Sequence, residues 1–251
     1  DPAGSSASFV NYVEGIYVGY KFYETADDEG LIRYNDVVQY PFGYGLSYTS
    51  FTQEMGPISE SGGTISFDVT VTNTGSTAGK EVVEVYVNPP YTDGGIEKAS
   101  ANLIAFDKTG LLEPGDSEKV TISFRMEDLA SYDMSGTGRY VLEAGDYIIS
   151  INRDAHTVLE SAVYTVASTV DYSSGRSTDQ IPAVNQFSYA QGGITYLSRA
   201  GGFANYDAAT AAPASYEMSA EDKAGFYNKN NYLTAEATAA DEDPNAQPVT
   251  T

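Results

Sequence analysis

Carboxylates are the commonest side chains in this sequence that could perform acid–base chemistry, and two short acidic runs stand out among them. Asp27, Asp28 and Glu29 form the first run, and Asp241, Glu242 and Asp243 form the second. A pair of carboxyl groups can supply a nucleophile and a general acid when its surroundings raise the pKa of one member. Both runs stand in polar, turn-like contexts that are typical of solvated surface. We therefore expect no catalytic residue in this chain.

The only histidine, His156, follows a strand pattern in the stretch NRDAHTV. One imidazole cannot form a His-rich metal site, and no Ser or Cys is placed to complete a catalytic triad with it. We expect His156 to be a surface or turn residue. The stretches DDEG and DEDPN offer oxygen ligands for calcium but lack the spacing of an EF-hand loop. The sequence therefore predicts neither a metal site nor a cofactor.

Aromatic rings are the other groups with binding chemistry, since the chain contains 21 Tyr and 10 Phe. They concentrate in two stretches near the start, YVEGIYVGYKFYE and QYPFGYGLSYT. Their rings could stack on sugars or fill an interface between two domains. The residues that we single out for one of these two roles are Tyr17, Tyr20, Lys21, Tyr23, Phe42 and Tyr44.

The second stretch, residues 39–49, which we call the connector, is too irregular for a helix and too rich in glycine for an ordinary strand. Pro41 fixes one backbone angle, while Gly43 and Gly45 permit unusual turns and close approach. Phe42, Tyr44 and Tyr48 are then free to fill the joint between two bodies. We favour a buried connector, with exposed sugar-stacking rings as the alternative.

The composition excludes several classes of partner. A net charge of −22 and a pI near 4.1 argue against nucleic acids and anionic membranes, which need a basic footprint. The chain has no Cys, so it has neither a disulfide framework nor a thiolate site. No apolar run approaches the roughly 20 residues of a membrane helix. The start, DPAGSSASF, shows neither an initiator Met nor a signal peptide, which indicates a processed or excised piece and leaves a cytoplasmic or secreted location open.

Residues 64–166 show short strands separated by turns. In TISFDVTV, Ile65, Phe67, Val69 and Val71 alternate with polar residues, which is the period of a half-buried strand. The stretches EVVEVYVN, KVTISFRM and ESAVYTV show the same behaviour, with Met126 expected to face inward at the end of KVTISFRM. RYVLE and DYIISIN are expected to form a hairpin across Ala-Gly. This pattern predicts a mainly β fold, an antiparallel β-sandwich.

The two ends of the chain differ from this middle part. Residues 8–24 place Val13, Ile16 and Tyr20 on one helical face, which predicts one or two helical turns followed by an acidic loop, TADDEG. From residue 171 the periodicity is weak, with one short helix predicted after the N-cap Ser219. Residues 235–251 have the composition of a linker.

Several of these stretches, taken together and in order, resemble family 3 glycoside hydrolases. YVEGIYVGYKFYE and YPFGYGLSYTSF resemble the junction between the α/β sandwich domain and the C-terminal fibronectin type III-like domain of that family. VTVTNTGSTAGKEVVEVYVNPP, LIAFDKTGLLEPGDSEKVTISF and YVLEAGDYIISI resemble the domain itself. The resemblance covers about residues 8–166. It implies a fibronectin type III-like, immunoglobulin-like β-sandwich with irregular N-terminal and C-terminal segments.

The resemblance also implies a division of the chain and a role. Residues 1–56 would be the end of the α/β sandwich domain with the connector, 57–170 the fibronectin type III-like domain, and 171–251 an extension or linker. In some members this region precedes the (β/α)8 barrel, and ITYLSRAGGFANY is similar to a lead-in to that barrel. Lys21 stands where the family usually has Arg, which puts a bidentate contact there in doubt.

Family 3 enzymes use a barrel Asp as nucleophile and a Glu as acid/base, and neither segment is found in this sequence. The resemblance thus implies a noncatalytic scaffold that braces the catalytic domains of a parent protein, a bacterial β-glucosidase or a related retaining exo-glycosidase. Its partners would be those domains and the parent's glycoside or oligosaccharide substrate. The alternatives are a β-sandwich module that binds carbohydrate or protein, and a spacer domain of a cell-surface protein.

Overall fold

The structure is a computed structural model that describes residues 12–179 and 194–212, together with the single residues 183 and 220. Most of its regular structure is β. In chain order the strands are β1 (Phe51–Met55), β2 (Ser59–Ser61), β3 (Thr64–Asn73), β4 (Val82–Asn88), β5 (Asn102–Lys108), β6 (Ser117–Arg125), β7 (Ser131–Asp133), β8 (Arg139–Leu142), β9 (Gly145–Asn152), β10 (Val158–Val166) and β11 (Val170–Asp171). The helices are α1 (Tyr20–Asp28), α2 (Tyr34–Val37), α3 (Ala200–Phe203) and α4 (Tyr206–Thr210), with a 3-10 turn over Met126–Leu129.

The strands form three sheets in which all pairs are antiparallel. In the first sheet, β6 pairs along one edge of β3, while β1 and β2 share the other edge. The second sheet has the order β10-β9-β4-β5, and the third has the order β11-β8-β7. Strand β1 precedes the predicted domain boundary at residue 57 and β11 straddles the one at residue 170. The three-part division of the chain remains a prediction.

The core lies between the first and second sheets and confirms the predicted antiparallel β-sandwich. The alternation that the sequence shows in TISFDVTV is the burial pattern of β3, whose apolar residues are buried while their neighbours are not. Such inward-facing side chains drive folding because burying them removes apolar surface from water. The buried core residues on β3, β4, β6 and β9 are Ile65, Phe67, Val69, Val71, Val83, Val85, Val87, Val120, Ile122, Phe124, Tyr147, Ile149 and Ile151.

The hairpin predicted from RYVLE and DYIISIN is wrong. β8 pairs with β7 and β11, whereas β9 pairs with β4 and β10, so the two arms belong to different sheets. Two-residue hairpin turns need a positive φ at their first central residue, which Ala144 disfavours. Gly145 has a φ of 143° and lies against Pro90, where an added Cβ would come within 3.0 Å of the ring. The chain therefore crosses between sheets at this glycine.

Met126 also departs from its expected place on a strand. It begins the 3-10 turn after β6 rather than ending the strand, although its side chain still packs against the sandwich core.

The N-terminal helix begins later and ends later than its apolar spacing predicts. Gly15 and Gly19 have positive φ angles, so Val13 and Ile16 precede the helix and α1 starts at Tyr20. The helix then continues through Asp28, so the predicted acidic loop TADDEG is wrong over its first four residues. Burial of Glu24, Thr25 and Ala26 explains this, because tertiary packing outweighs a weak local preference.

A second, smaller core joins the segment around α1 to residues 194–212. Residues 194–212, part of the segment expected to be an extension or linker, pack against the segment around α1 and the loop between β4 and β5. The Leu197 amide donates a 2.7 Å hydrogen bond to the carbonyl of Val13. The buried members of this second core are Tyr17, Ala26, Ala99, Leu197, Phe203 and Ala209.

Three predictions from the sequence fall outside the described residues: the helix after Ser219, the linker at 235–251 and the second acidic run. Within 12–179 and 194–212, no helix is both long and apolar enough to span a bilayer.

Candidate interface site on α1 and the connector

One face of α1 is fixed to the sandwich by polar contacts as well as by packing. The Tyr20 hydroxyl accepts a 3.0 Å hydrogen bond from the Leu103 amide, and the Thr25 hydroxyl accepts one of 3.0 Å from the Ser100 amide. Both amides belong to β5 or to the residues just before it. These bonds satisfy backbone groups that burial would otherwise leave unpaired. The helix is therefore held at a defined place over the second sheet.

Glu24, on the same face of α1, contacts the turn between β9 and β10. The Glu24 carboxylate lies 2.9 Å from Nδ1 of His156, and the His156 ring stacks on Tyr34 with ring centroids 3.7 Å apart. Burial raises the pKa of Glu24, and the neighbouring Tyr34 and His156 side chains offset the rise only in part. His156 thus lies in a turn as expected, but its half-buried ring also joins α1 to the sandwich.

The first half of the connector is bound to the sandwich around Phe42. The Phe42 ring stacks on Tyr20 at 4.5 Å between centroids, and the Phe42 carbonyl accepts a 2.8 Å hydrogen bond from the Ala155 amide. Gly43 follows with a φ of 84°, and a Cβ there would lie 2.3 Å from Oε2 of Glu84. The chain can approach the sheet this closely only because residue 43 has no side chain.

The end of the connector is fixed as well, by Thr49. Its hydroxyl donates a 2.7 Å hydrogen bond to the side chain of Asn73, and the carbonyl of Ser50 accepts one of 2.8 Å from the Thr74 amide. The segment between the two attachment points, residues 44–48, is displayed on the surface rather than buried.

Large apolar side chains of the connector face solvent in this chain. Leu46 is 89% exposed and Tyr48 is 100% exposed, while Tyr40 and Tyr44 lie with ring centroids 5.2 Å apart and are also exposed. Exposed apolar groups that are contiguous and fixed in place commonly mark an interaction surface. The uncharged connector therefore offers a preformed surface for a partner or for sugar rings.

The six candidate residues separate into four environments. Tyr20 and Phe42 stack on each other over the second sheet, with Tyr44 exposed beside them. Tyr17 is buried in the second core, where its ring meets Phe203 edge-on at 5.0 Å. Tyr23 is exposed, and Lys21 lines a cleft between α1 and the third sheet. The structure does not gather all six into one site, and their role as substrate-proximal or interface residues remains a prediction.

Residues that the sequence did not single out hold the C-terminal segment in place. The Arg199 guanidinium donates a 2.6 Å hydrogen bond to Glu29 and a 3.0 Å one to the carbonyl of Lys98, and it lies 4.3 Å from the Tyr91 ring. Glu97 accepts a 3.0 Å hydrogen bond from the Arg199 amide and further ones from the hydroxyls of Tyr17 and Ser198. The paired glycines in SRAGGF are the only signal in the sequence that a special backbone was needed here.

The described residues contain no group of three or more His, Asp or Glu side chains placed to bind a metal ion. Two acids of the first run have structural partners, because Asp27 accepts a 2.8 Å hydrogen bond from the Tyr34 amide and Glu29 pairs with Arg199.

Comparison with known proteins adds to this geometry. The model of the fibronectin type III-like domain family matches residues 81–155. β-Glucosidase A of Butyrivibrio fibrisolvens is 41% identical over 157 residues, which cover 55% of this chain and 18% of that protein. A β-glucosidase of Ruminococcus albus is 40% identical over 166 residues, covering 63% of this chain and 16% of that protein. The chain thus spans less than a fifth of the length of these curated relatives.

The solved structures that match this chain include β-glucosidases as well. A β-glucosidase from Paenibacillus barengoltzii matches with a TM-score of 0.56 and 36% identity, covering 66% of this chain and 19% of that one. β-Glucosidase 3B from Thermotoga neapolitana matches with a TM-score of 0.54 and 35% identity, covering 62% of this chain and 20% of that one.

Proposed function

We propose that this chain is a noncatalytic scaffold that braces the catalytic domains of a larger glycosidase. The premise is that the chain belongs to the C-terminal, fibronectin type III-like region of family 3 glycoside hydrolases. The chain would position those domains and perform no hydrolysis itself. Precise placement of catalytic groups depends on rigid support of this kind.

The exposed connector is the observation that carries this proposal. Its attachment at Phe42 and Thr49 holds Tyr44, Leu46 and Tyr48 at the surface in a fixed arrangement. Relatives five to six times longer than the matched region have further polypeptide that could cover these side chains. We infer that the connector is one half of a joint and that the other half is the α/β sandwich or barrel domain of the parent protein.

The parent protein would cleave terminal sugars from glycosides or oligosaccharides by double displacement. Both carboxyl groups that such a mechanism needs would come from the rest of the polypeptide. Residues 171–251 would lead toward the barrel domain, with 194–212 fixing the point at which the chain leaves the sandwich. The reading frame on both sides of these 251 residues tests this domain order directly.

The scaffold role is tested by mixing this chain with the remaining domains of the same reading frame, produced as a separate polypeptide. We expect neither part alone to hydrolyse an aryl β-glucoside, and the mixture to form a complex on gel filtration and become active. Leu46→Ser with Tyr48→Ser should weaken the complex at least tenfold. Phe106→Ser, at a 68% exposed aromatic residue of β5, is the matched control and should leave association unchanged. Hydrolysis by the chain alone, or association indifferent to Leu46 and Tyr48, would exclude the proposal.

A carbohydrate-binding module is the alternative that the exposed tyrosines favour. The rings of Tyr40 and Tyr44 lie side by side at the surface and could stack on sugar rings. Titration of the isolated chain with cello-oligosaccharides, followed by Tyr fluorescence, separates the two functions. Saturable binding that is lost in Tyr44→Ser would favour the module, whereas an unchanged signal favours the scaffold.

A further inference from the structure

A cleft of about 330 Å³ lies between the start of α1, the edge of β5 and the third sheet. Its volume is at the lower end of the range for small-molecule sites, which suits a ligand of monosaccharide size. The cleft adjoins Tyr20, because Lys21 follows Tyr20 in α1 and Leu103 on the cleft wall donates its amide hydrogen to the Tyr20 hydroxyl. The scaffold role makes no use of the cleft itself.

One cation on the cleft wall, Lys21, has no ion-pair partner among the described residues. Lys98 pairs with Glu143, and Arg176 forms a two-pronged pair with Asp179 at 2.9 and 3.0 Å. The two acids on the wall accept hydrogen bonds from neutral donors: Glu97 from the Tyr17 hydroxyl, the Ser198 hydroxyl and the Arg199 amide, and Asp128 from the Arg125 amide at 3.1 Å. Lys21 is the remaining charged side chain on the wall, and it has no salt bridge or side-chain hydrogen bond to any other described residue.

Lys21 is half-buried, and desolvation lowers the pKa of its ammonium group. A partly buried charge is stabilised by a counter-ion, and its pKa rises when one binds. The rest of the chain carries a large excess of negative charge, which opposes multivalent anions. The single ammonium charge of Lys21 therefore suits a ligand that carries one carboxylate.

Neutral polar groups line the same cleft. The amide nitrogen of Asn102 donates to the carbonyls of Val87 and Ala99, which leaves its Oδ1 as an acceptor, and the hydroxyls of Ser131 and Tyr140 make no hydrogen bond to another described residue. Tyr140 is itself fixed, because the Arg176 guanidinium lies 3.7 Å from its ring centroid. Hydroxyl groups of a ligand would find both acceptors and donors here.

From this geometry we propose that the cleft binds a sugar monocarboxylate of hexuronate size, with Lys21 as the counter-ion of its carboxylate. The hydroxyl groups of the sugar bind Asn102, Ser131 and Tyr140. This site is independent of the scaffold role, because the isolated chain contains all of it.

The proposal is tested by calorimetric titration of the complete 251-residue chain with D-glucuronate, glucose, acetate and inorganic phosphate. We expect one saturable site for glucuronate, and affinity at least tenfold weaker for each of the other three. Lys21→Met should weaken glucuronate binding at least tenfold, because a charge-assisted contact is lost. Lys119→Met, at a lysine whose side chain is 71% exposed on β6, is the matched control and should bind as the parent chain does.

Proton linkage distinguishes a direct ion pair from a structural effect of Lys21. Because a bound carboxylate raises the pKa of the lysine, binding above neutral pH should take up protons, measured as a dependence of the binding heat on buffer ionisation enthalpy. Lys21→Arg should keep the affinity within a few fold but lose the proton uptake. Should Lys21→Met fail to fold, Lys21→Gln replaces it. Equal binding of glucose or acetate, tighter binding of phosphate, retained affinity in both neutral variants, or no saturable binding would each overturn the proposal.

Discussion

Glu24 shows how one buried side chain can link the helix to the sandwich and make the link sensitive to pH. Burial is the largest cause of its raised pKa, and Asp28 on its own helix adds to the rise. From the facing elements, Tyr34 of α2 and His156 of the β9–β10 turn oppose it, and the buried Asp154 lies in the same turn as His156. The ionised form of Glu24 is therefore the less favourable one in the folded protein.

Replacing Glu24 by Gln should remove this pH dependence. Since the folded-state pKa of Glu24 lies above its ordinary value of 4.5, its contribution to stability is complete below about pH 4.5 and is lost as the pH rises through the raised pKa. We expect the stability of Glu24→Gln relative to the parent to improve between pH 4.5 and pH 8. Urea unfolding of the variant and the parent at several pH values measures this difference in stability.

Glu54→Gln is the control for this experiment, because it removes one carboxylate at an exposed position on β1. Its stability relative to the parent should stay flat over the same range. A Glu24→Gln variant that loses relative stability as the pH rises would show that the contact with His156 outweighs desolvation.

Gly43 is a second residue whose type is determined by its surroundings. A φ of 84° is unfavourable for a residue with a side chain, and a Cβ would collide with the carboxylate of Glu84, which already accepts a 2.8 Å hydrogen bond from the Tyr86 hydroxyl. Gly43→Ala should therefore destabilise the chain by about 1–3 kcal/mol. Gly45→Ala, with no atom within 4 Å of the added carbon, should change the unfolding free energy by less than about 1 kcal/mol. Equal effects of the two substitutions in urea unfolding would contradict this account of the connector.

At the scale of elements, residues 194–212, which we call the clasp, pack against α1. Gly201, Gly202 and Phe203 all have φ angles between 59° and 67°, a backbone that an aromatic residue rarely adopts. Phe203 is 1% exposed and contacts both Tyr17 and Phe22, so its burial offsets the backbone strain. The second core therefore depends strongly on this one side chain.

Phe203→Ala should cost about 3–5 kcal/mol of stability in the second core, the usual loss for a buried phenylalanine. Hydrogen exchange would locate the loss, with faster exchange expected in α1 and 194–212 and little change in β3 and β9. Val163→Ala, at a 61% exposed position of β10, should change little. Equally faster exchange in the sandwich strands would show that the two cores unfold together.

The elements that the sequence predicts well are those whose pattern is local. The alternation in β3 follows from burial of every second residue, and the apolar run in β4 from burial of most of its second half, so the sandwich could be predicted. The second core could not be, because Tyr17, Glu97 and Arg199 meet only after distant parts of the chain come together. The β8–β9 hairpin failed for the same reason, since two neighbouring strands joined different sheets.

The candidate site was predictable only in part, again for physical reasons. Its aromatic residues could be found from composition, and the connector from its mixture of Gly, Pro and rings. Which rings would be buried depends on contacts that no short pattern encodes, as when Tyr17 enters a core while Tyr23, six residues later, stays exposed. His156 could be noticed because it is the one histidine of the sequence, but only the structure reveals that Glu24 is its partner.

At the scale of the whole molecule, a net charge of −22 spread along the chain should make folding sensitive to ionic strength. Like charges repel more in the compact state than in the expanded one, and salt screens this repulsion as the Debye length falls from about 30 Å at 0.01 M to about 8 Å at 0.15 M. We expect the melting temperature at pH 7 to rise by about 2–4 °C over this range, equivalent to about 1 kcal/mol for a chain of this size.

The same measurement near pH 4 is the control for this prediction, because the sequence pI is about 4.1 and the net charge there is close to zero. Without net repulsion to screen, salt should change the melting temperature little. A fall at pH 7 would mean that screening weakens attractive pairs more than it relieves repulsion. The pairs that hold the clasp and the neighbouring loop, Arg199 with Glu29 and Lys98 with Glu143, would then contribute more to stability than the diffuse negative charge removes.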